Sequence, residues 1–316
     1  MGLTSLRVLL TGASSFTGAW FAAALAGDGH QVVGTLQRRV DDYPALERRR
    51  IAMLDEAGVT LVEQASYGNA VMQDLTRQGF NRLCFHASDV RDYRSAEFDL
   101  ARAMQANLSG MRDACIAAKA AGTTRMIWTG TVFEPHEARG DRLDEAITPY
   151  GLSKWLSWQA LAYYAEEAGL PLGKFIVPNP FGPLEQSRFC TYLVNCWERN
   201  QTPEVRTPDY VRDNIPIDRL ARAYADFVAL DPADAAAARC GPSGYAETQG
   251  QFTARFAREL GPRLGIATPF TLARQTDFSE PMTRIGLGGV EPAWDEVRFW
   301  DALAADYARR VIPAAK

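Results

Sequence analysis

Eight residues, all small but Phe16, run Thr11-Gly12-Ala13-Ser14-Ser15-Phe16-Thr17-Gly18 and join the apolar run Leu6-Arg7-Val8-Leu9-Leu10 to the alanine-rich stretch Ala19 to Gly27. A strand handing over to a helix in so few residues needs backbone freedom and little side-chain bulk, which Gly and Ser supply. The rhythm then repeats. Strands are predicted at Gln31–Leu36, Val59–Glu63, Arg82–His86, Arg125–Thr129 and Gly173–Val177. Helices are predicted at 43–57, 98–122 and 148–169. Strands alternating with helices imply βαβ units, a parallel sheet and right-handed crossovers. The expected fold is α/β, a doubly wound parallel sheet of Rossmann type over residues 1–177.

Beyond 177 the rhythm weakens and Pro becomes frequent, at Pro178, Pro180, Pro183, Pro203, Pro208 and Pro216. Residues 178–316 are expected to form a smaller α/β substrate-binding lobe, with 214–230 packing back onto the first domain. Further helices are predicted at 218–229, 251–264 and 291–311.

Composition excludes several classes. The apolar share of 47% and charged share of 23% are those of a globular protein, not a disordered one. A net charge of −4 gives no general affinity for nucleic acid. No apolar run reaches the length of a membrane helix, and the N-terminus lacks a secretory pattern. Five Cys without a CxxC pair and three scattered His suggest neither a disulfide framework nor a metal site. A cytoplasmic protein is expected.

The first turn has the form of a dinucleotide site. Small residues let backbone N–H groups approach a pyrophosphate, and the helix N-terminus adds partial positive charge. Ser15 replaces the middle glycine of the usual three and can donate to a phosphate oxygen. The second strand ends Gln37-Arg38-Arg39, without the acidic residue that accepts from a ribose 2′-hydroxyl. Arg pairs well with phosphate, so NADP(H) is expected to be preferred, with NAD(H) possible.

Tyr150-Gly151-Leu152-Ser153-Lys154 opens the helix after Pro149. Residues i and i+4 share a helix face, so the phenol and the ammonium can meet one ligand. A nearby cation is expected to lower the Tyr150 pKa and make it a proton shuttle between carbinol and carbonyl. Thr129 and Thr131 both qualify as a hydroxyl at a strand end, facing the ligand crevice.

These motifs, with His86-Ala87-Ser88, Asn107, Pro178-Asn179-Pro180-Phe181-Gly182-Pro183 and Arg212-Asp213-Asn214-Ile215-Pro216-Ile217-Asp218, resemble the extended short-chain dehydrogenase/reductases. That is the NAD(P)-dependent sugar-nucleotide epimerase/dehydratase group. The resemblance covers about two-thirds of the chain, in the expected order. It implies Tyr150 as general acid/base, Lys154 on the nicotinamide ribose, and Thr129 as the catalytic hydroxyl. It also implies cofactor contacts from Gly12, Ser14, Ser15, Phe16, Gly18, Gln37, Arg38, Arg39, His86, Ala87, Ser88, Asn107 and Pro178. Thr131, Asn179 and Arg212 would meet substrate. The group's 4,6-dehydratases carry Asp-Glu where this chain has Gly130-Thr131, which argues against that elimination. Reduction of a nucleotide-linked 4-keto sugar is the first expectation, and NAD-dependent epimerisation the second. A non-catalytic dinucleotide sensor is the remaining alternative. The group's architecture further implies a homodimer through the helices at 98–122 and 148–169.

Overall fold

The computed structural model describes residues 5–311, except 92, 94, 96, 235–237 and 289–292. The first part of the chain forms β1 (Arg7–Leu10), α1 (Phe16–Gly27), β2 (Gln31–Thr35), α2 (Ala45–Glu56), β3 (Thr60–Val62), α3 (Ala70–Thr76) and β4 (Arg82–Phe85). It continues with α4 (Leu100–Leu108), α5 (Met111–Ala120), β5 (Arg125–Thr131), β6 (Arg139–Gly140), α6 (Pro149–Glu167) and β7 (Leu172–Val177). The remainder forms β8 (Asn179–Phe181), α7 (Phe189–Glu198), β9 (Glu204–Val205), β10 (Val211–Pro216), α8 (Ile217–Ala229) and β11 (Arg239–Cys240). Last come β12 (Tyr245–Thr248), α9 (Gln249–Leu264), β13 (Thr271–Leu272), β14 (Thr283–Ile285) and α10 (Glu296–Val311).

The central sheet runs β11-β7-β5-β4-β1-β2-β3, and every pair in it is parallel. Both faces are covered, which is why β4 and β5 are buried along their whole length. Alternate residues serve opposite layers. Val8, Leu10, Ile127 and Phe175 pack with α1, α2 and α8, while Leu9, Leu83, Met126 and Trp128 pack with α3, α5 and α6. From β1 the chain order runs outward in both directions, so the crevice above the carboxyl ends of β1 and β4 is the switch point where such sheets take ligands.

Helix α8 lies on α1. Phe21 stacks on Tyr224 at 3.9 Å, and Arg222 pairs with Asp28 at 2.5 Å. The core continues past residue 177. Phe181 meets Phe252 and Phe299 edge-on, at 5.2 and 5.3 Å. The lobe's sheet has the order β12-β10-β14-β6, with β8 on β10. Its edge strand β6 comes from before residue 177, so the two parts exchange a strand.

The helix expected over 98–122 is broken. Ser109-Gly110 separates α4 from α5, and Gly110 takes the left-handed backbone at φ 64°. The helix expected from Glu291 begins at Glu296. Residues 291 and 292 lie outside the described residues. Among the described residues, no helix is long and apolar enough to cross a membrane.

Candidate active site

The first turn is strapped into the switch point. Thr11 N donates to Cys84 O at the end of β4, and Ala13 N to Thr35 O at the end of β2. Ser15 is the N-cap of α1, and its hydroxyl accepts from Gly18 N at 3.1 Å. A Cβ on Gly18 would stand 2.4 Å from Gly12 O, so only glycine allows the helix this close to the strand. The N-terminus of α1, carrying its partial positive charge, thus opens into the crevice. Ser14 O accepts from Arg50 at 3.3 Å, and Arg50 also holds Leu184 O at 2.8 Å. Burial pushes the Arg50 guanidinium down to about 10, still charged at neutral pH. Within the run Arg48-Arg49-Arg50 nothing marks the third residue, so sequence reasoning missed this buried cation beside the turn. At the end of β2, Gln37, Arg38 and Arg39 are all exposed. The nearby Glu63 is occupied by Val40 N at 2.8 Å.

His86 joins the turn to the strand end. Its backbone N and that of Ala87 donate to Thr11 Oγ1. Nε2 lies 3.1 Å from both Ser15 Oγ and Thr17 Oγ1, and Nδ1 lies 3.1 Å from Thr129 Oγ1. Burial, with the Lys154 charge, lowers its pKa to about 3, so the imidazole is neutral.

Helix α6 is capped by the Thr148 side chain and starts on Pro149. It carries Tyr150 and Lys154 one turn apart. Lys154 is buried. Its Nζ donates to Ser88 Oγ at 2.6 Å and lies 3.9 Å from the centre of the Trp128 ring. Burial lowers its pKa, the nearby Glu134 opposes this, and Lys174 reinforces it. Tyr93, Phe98 and Phe133 surround the Tyr150 ring edge-on at 5.6, 6.0 and 6.5 Å. Burial raises the Tyr150 pKa, and Glu134 adds to the rise. The expected lowering by Lys154 is therefore not found: desolvation dominates, and the phenol keeps its proton at neutral pH.

The two threonines are not equivalent. The Thr129 hydroxyl is engaged by His86, inside the sheet. Thr131 ends β5 beside Val177, and Phe133 N approaches its hydroxyl at 3.4 Å. Among the described residues no acceptor takes the Thr131 hydroxyl hydrogen.

Other expected site residues are already occupied. Asn107 receives Asp89 N at 3.0 Å and donates to Ser157 at 3.2 Å, so it braces α4 against α6. Arg212 donates to the carbonyls of Val211, Pro281 and Met282 and pairs with Glu280 at 3.0 Å, so its guanidinium is turned into the lobe. Asn179 differs. Its Nδ2, and that of its register partner Asn214, are buried without partners among the described residues. Pro178 is buried at the crossing into the lobe.

Two further cations, besides Arg50, were not legible in sequence. The Arg188 guanidinium lies 6.0 Å from the Tyr93 ring, whose edge meets Tyr150. That of Arg284 stacks 4.1 Å over Phe133, with its Nε unpartnered. Only long-range folding brings them to Tyr150.

The sequence model of the NAD-dependent epimerase/dehydratase family matches residues 8–234. No curated protein matches the chain. Solved structures share the fold. A UDP-N-acetylglucosamine 4-epimerase from Methanobrevibacter ruminantium, in complex with UDP-N-acetylmuramic acid, is 15% identical. The match covers 98% of this chain and 99% of that one, with a TM-score of 0.73. A tyrosine-to-phenylalanine mutant of UDP-glucuronic acid 4-epimerase from Bacillus cereus, solved with a fluorinated UDP-sugar and NAD, is 16% identical. There the cover is 96% and 100%, with a TM-score of 0.76. A dTDP-glucose 4,6-dehydratase from Streptomyces venezuelae, with NAD bound, is 17% identical over 96% and 97% of the chains, with a TM-score of 0.72.

Proposed function

The chain belongs to the NAD-dependent epimerase/dehydratase family, of the extended short-chain dehydrogenase/reductase type, and from that premise we propose that it is an NADP(H)-dependent reductase of a keto carbon on a nucleotide-linked sugar. The observation that carries this is the placement of Tyr150 one helix turn from Lys154 on α6, with the Lys154 ammonium held at Ser88 Oγ and over the Trp128 ring of β5. A phenol kept in its acid form is suited to protonating a nascent alkoxide.

The donor set at the crevice fits a dinucleotide. Gly12 to Gly18 and the N-terminus of α1 would receive the pyrophosphate, with Arg50 adding positive charge behind the turn. Exposed Gln37, Arg38 and Arg39 suit a 2′-phosphate. A bound nicotinamide would supply the hydride. Lys154, held over Trp128 and at Ser88, would hold the ribose. Thr131, whose hydroxyl hydrogen is uncommitted, would orient the substrate oxygen in place of Thr129. Tyr150 would deliver the proton. Asn179, whose Nδ2 has no partner among the described residues, is chemically suited to a substrate oxygen. Exposed Ile116 and Tyr163 on α5 and α6 support a homodimer.

The epimerase reading draws support from the 4-epimerases of like fold solved with NAD. In it the same Tyr150 would first accept a proton and then return it. One assay separates the two. The protein is incubated with NADPH or NAD⁺ and a panel of nucleotide sugars and their 4-keto forms. NADPH consumption matched to alcohol product supports the reductase. Interconversion of two sugars without net cofactor consumption favours the epimerase. The absence of both NADPH consumption and sugar interconversion would contradict both readings.

A further inference from the structure

Trp128 on β5 and Lys174 on β7 are register partners facing α6. Lys154 lies over the Trp128 ring, and the Lys174 Nζ lies 4.9 Å from the ring of Trp158, one turn beyond Lys154 on α6. The two buried cations therefore share one layer beneath the helix that carries Tyr150. A carboxylate completes it. Glu134 Oε2 accepts from Lys174 Nζ at 2.5 Å, and its Oε1 accepts from Thr131 N at 2.8 Å. Glu137 shares Lys174 at 2.7 Å and pairs outward with Arg239 at 2.5 Å. Gly130 makes the room: a Cβ there would stand 2.7 Å from Lys174 Cε and 2.8 Å from Glu134 Oε1. The turn that Glu134 pins is packed on the start of α6, since a Cβ on Gly151 would meet Phe133 O at 2.2 Å.

We propose that Glu134, anchored by Lys174, is a positioning residue that fixes Thr131 at the end of β5 and supplies the negative charge of the layer it shares with Lys154. It rests on the reading of Tyr150 and Lys154 as the reacting pair. The physical basis is that a buried ion pair must be closely matched, and this one spends its second oxygen on the backbone of the strand end. Its field reaches both reacting groups. Glu134 raises Lys154 against the lowering by burial and by Lys174, and it raises Tyr150 together with Tyr93, while Arg188 opposes. Burial raises the Glu134 carboxyl, and the Lys174 and Lys154 charges and the Thr131 N–H oppose that rise only in part. His86 is neutral and adds no charge at this layer.

The sequence offers a direct probe, because the chain has only four lysines: Lys119, Lys154, Lys174 and Lys316. The full chain labelled with carbon-13 at lysine Cε gives a small set of titrating resonances, and Lys154 is identified by its loss in Lys154→Arg. No substrate or cofactor is needed, so a negative result bears on Glu134 and not on the proposed reaction. In Glu134→Gln, which keeps the Thr131 acceptor and loses the charge, the Lys154 titration is expected to fall by about one pH unit or more. Glu137→Gln also strips a carboxylate from Lys174 but does not touch Thr131, and is expected to shift Lys154 by less than half as much. If Glu134→Gln fails to fold, the double variant with Lys174→Gln buries no lone charge. Lys154 is then expected to fall still, by less, since Glu134 outweighs Lys174 in its surroundings. An unchanged Lys154 titration in the folded Glu134 variants overturns the proposal, as does an equal shift in Glu137→Gln.

Discussion

Nδ1 of His86 lies 3.1 Å from Oγ1 of Thr129, while Nε2 of the same ring reaches Ser15 and Thr17 in the first turn. One neutral imidazole thus ties the turn that opens α1 to the central strand. Burial, with the Lys154 charge, pushes its pKa down to about 3 from the ordinary imidazole value of 6.5. The sign follows from which state binds protons. Between those values the unfolded chain takes up a proton that the folded chain refuses, so folding weakens as pH falls through this window. Urea midpoints should fall between pH 6.5 and about 3 more steeply in the wild type than in His86→Asn, which has no imidazole to titrate. Parallel curves would show that His86 is not held neutral.

The commitment of Thr129 to His86 separates it from Thr131. Thr131→Val is expected to lower turnover by roughly 100-fold, the scale of one lost donor to a developing oxyanion. Thr129→Val should lower it far less and act mainly on stability. Steady-state rates with the cofactor saturating decide this. The reverse ranking would return the role to Thr129.

Arg38 and Arg39 stand exposed where a 2′-phosphate would lie. Replacing both by Ala should weaken NADP⁺ by at least about tenfold, since one charge-assisted hydrogen bond is worth roughly 1.5–3 kcal/mol. NAD⁺ affinity should barely move. Calorimetric titration of both nucleotides into wild type and variant gives the comparison, and an equal loss for both would remove these residues from the phosphate.

Gly18→Ala places a methyl 2.4 Å from Gly12 O. The backbone of the turn must move to admit it. A cost of about 1–3 kcal/mol is expected, together with loss of dinucleotide binding. Thermal unfolding with and without cofactor would measure both. A variant that binds as the wild type does would show that the turn is not the pyrophosphate site.

Local pattern made much of this fold readable. The strand–turn–helix at Leu6 to Gly27 and the alternation through Val177 carry their own periodicity, and Tyr150 with Lys154 needs only helical spacing to meet. What lay hidden depends on pairing across the chain. Thr129 and Thr131 have the same parity, so periodicity cannot say which one ends the strand; register with β7 does. Gly110 breaks a helix whose alanine-rich flanks read as continuous by taking the left-handed backbone, at a place where a Cβ would stand 2.8 Å from Gly68 Cα of a distant loop. The strand exchange of β6 with β14, the burial of Arg50, and the meeting of Lys174 with Glu134 are likewise long-range. Arg212 looked free in sequence because the carbonyls that occupy it lie about 70 residues away.

The most direct measurement is the rate of Tyr150→Phe, with cofactor affinity measured on the same protein. Removing only the phenolic oxygen should cut turnover by about 100- to 10,000-fold, the range for a lost general acid. Dinucleotide binding, for which the proposed contacts are the first turn and Lys154, should stay within experimental error. Retained turnover would contradict Tyr150 as the proton donor and, with it, the proposed chemistry of the site.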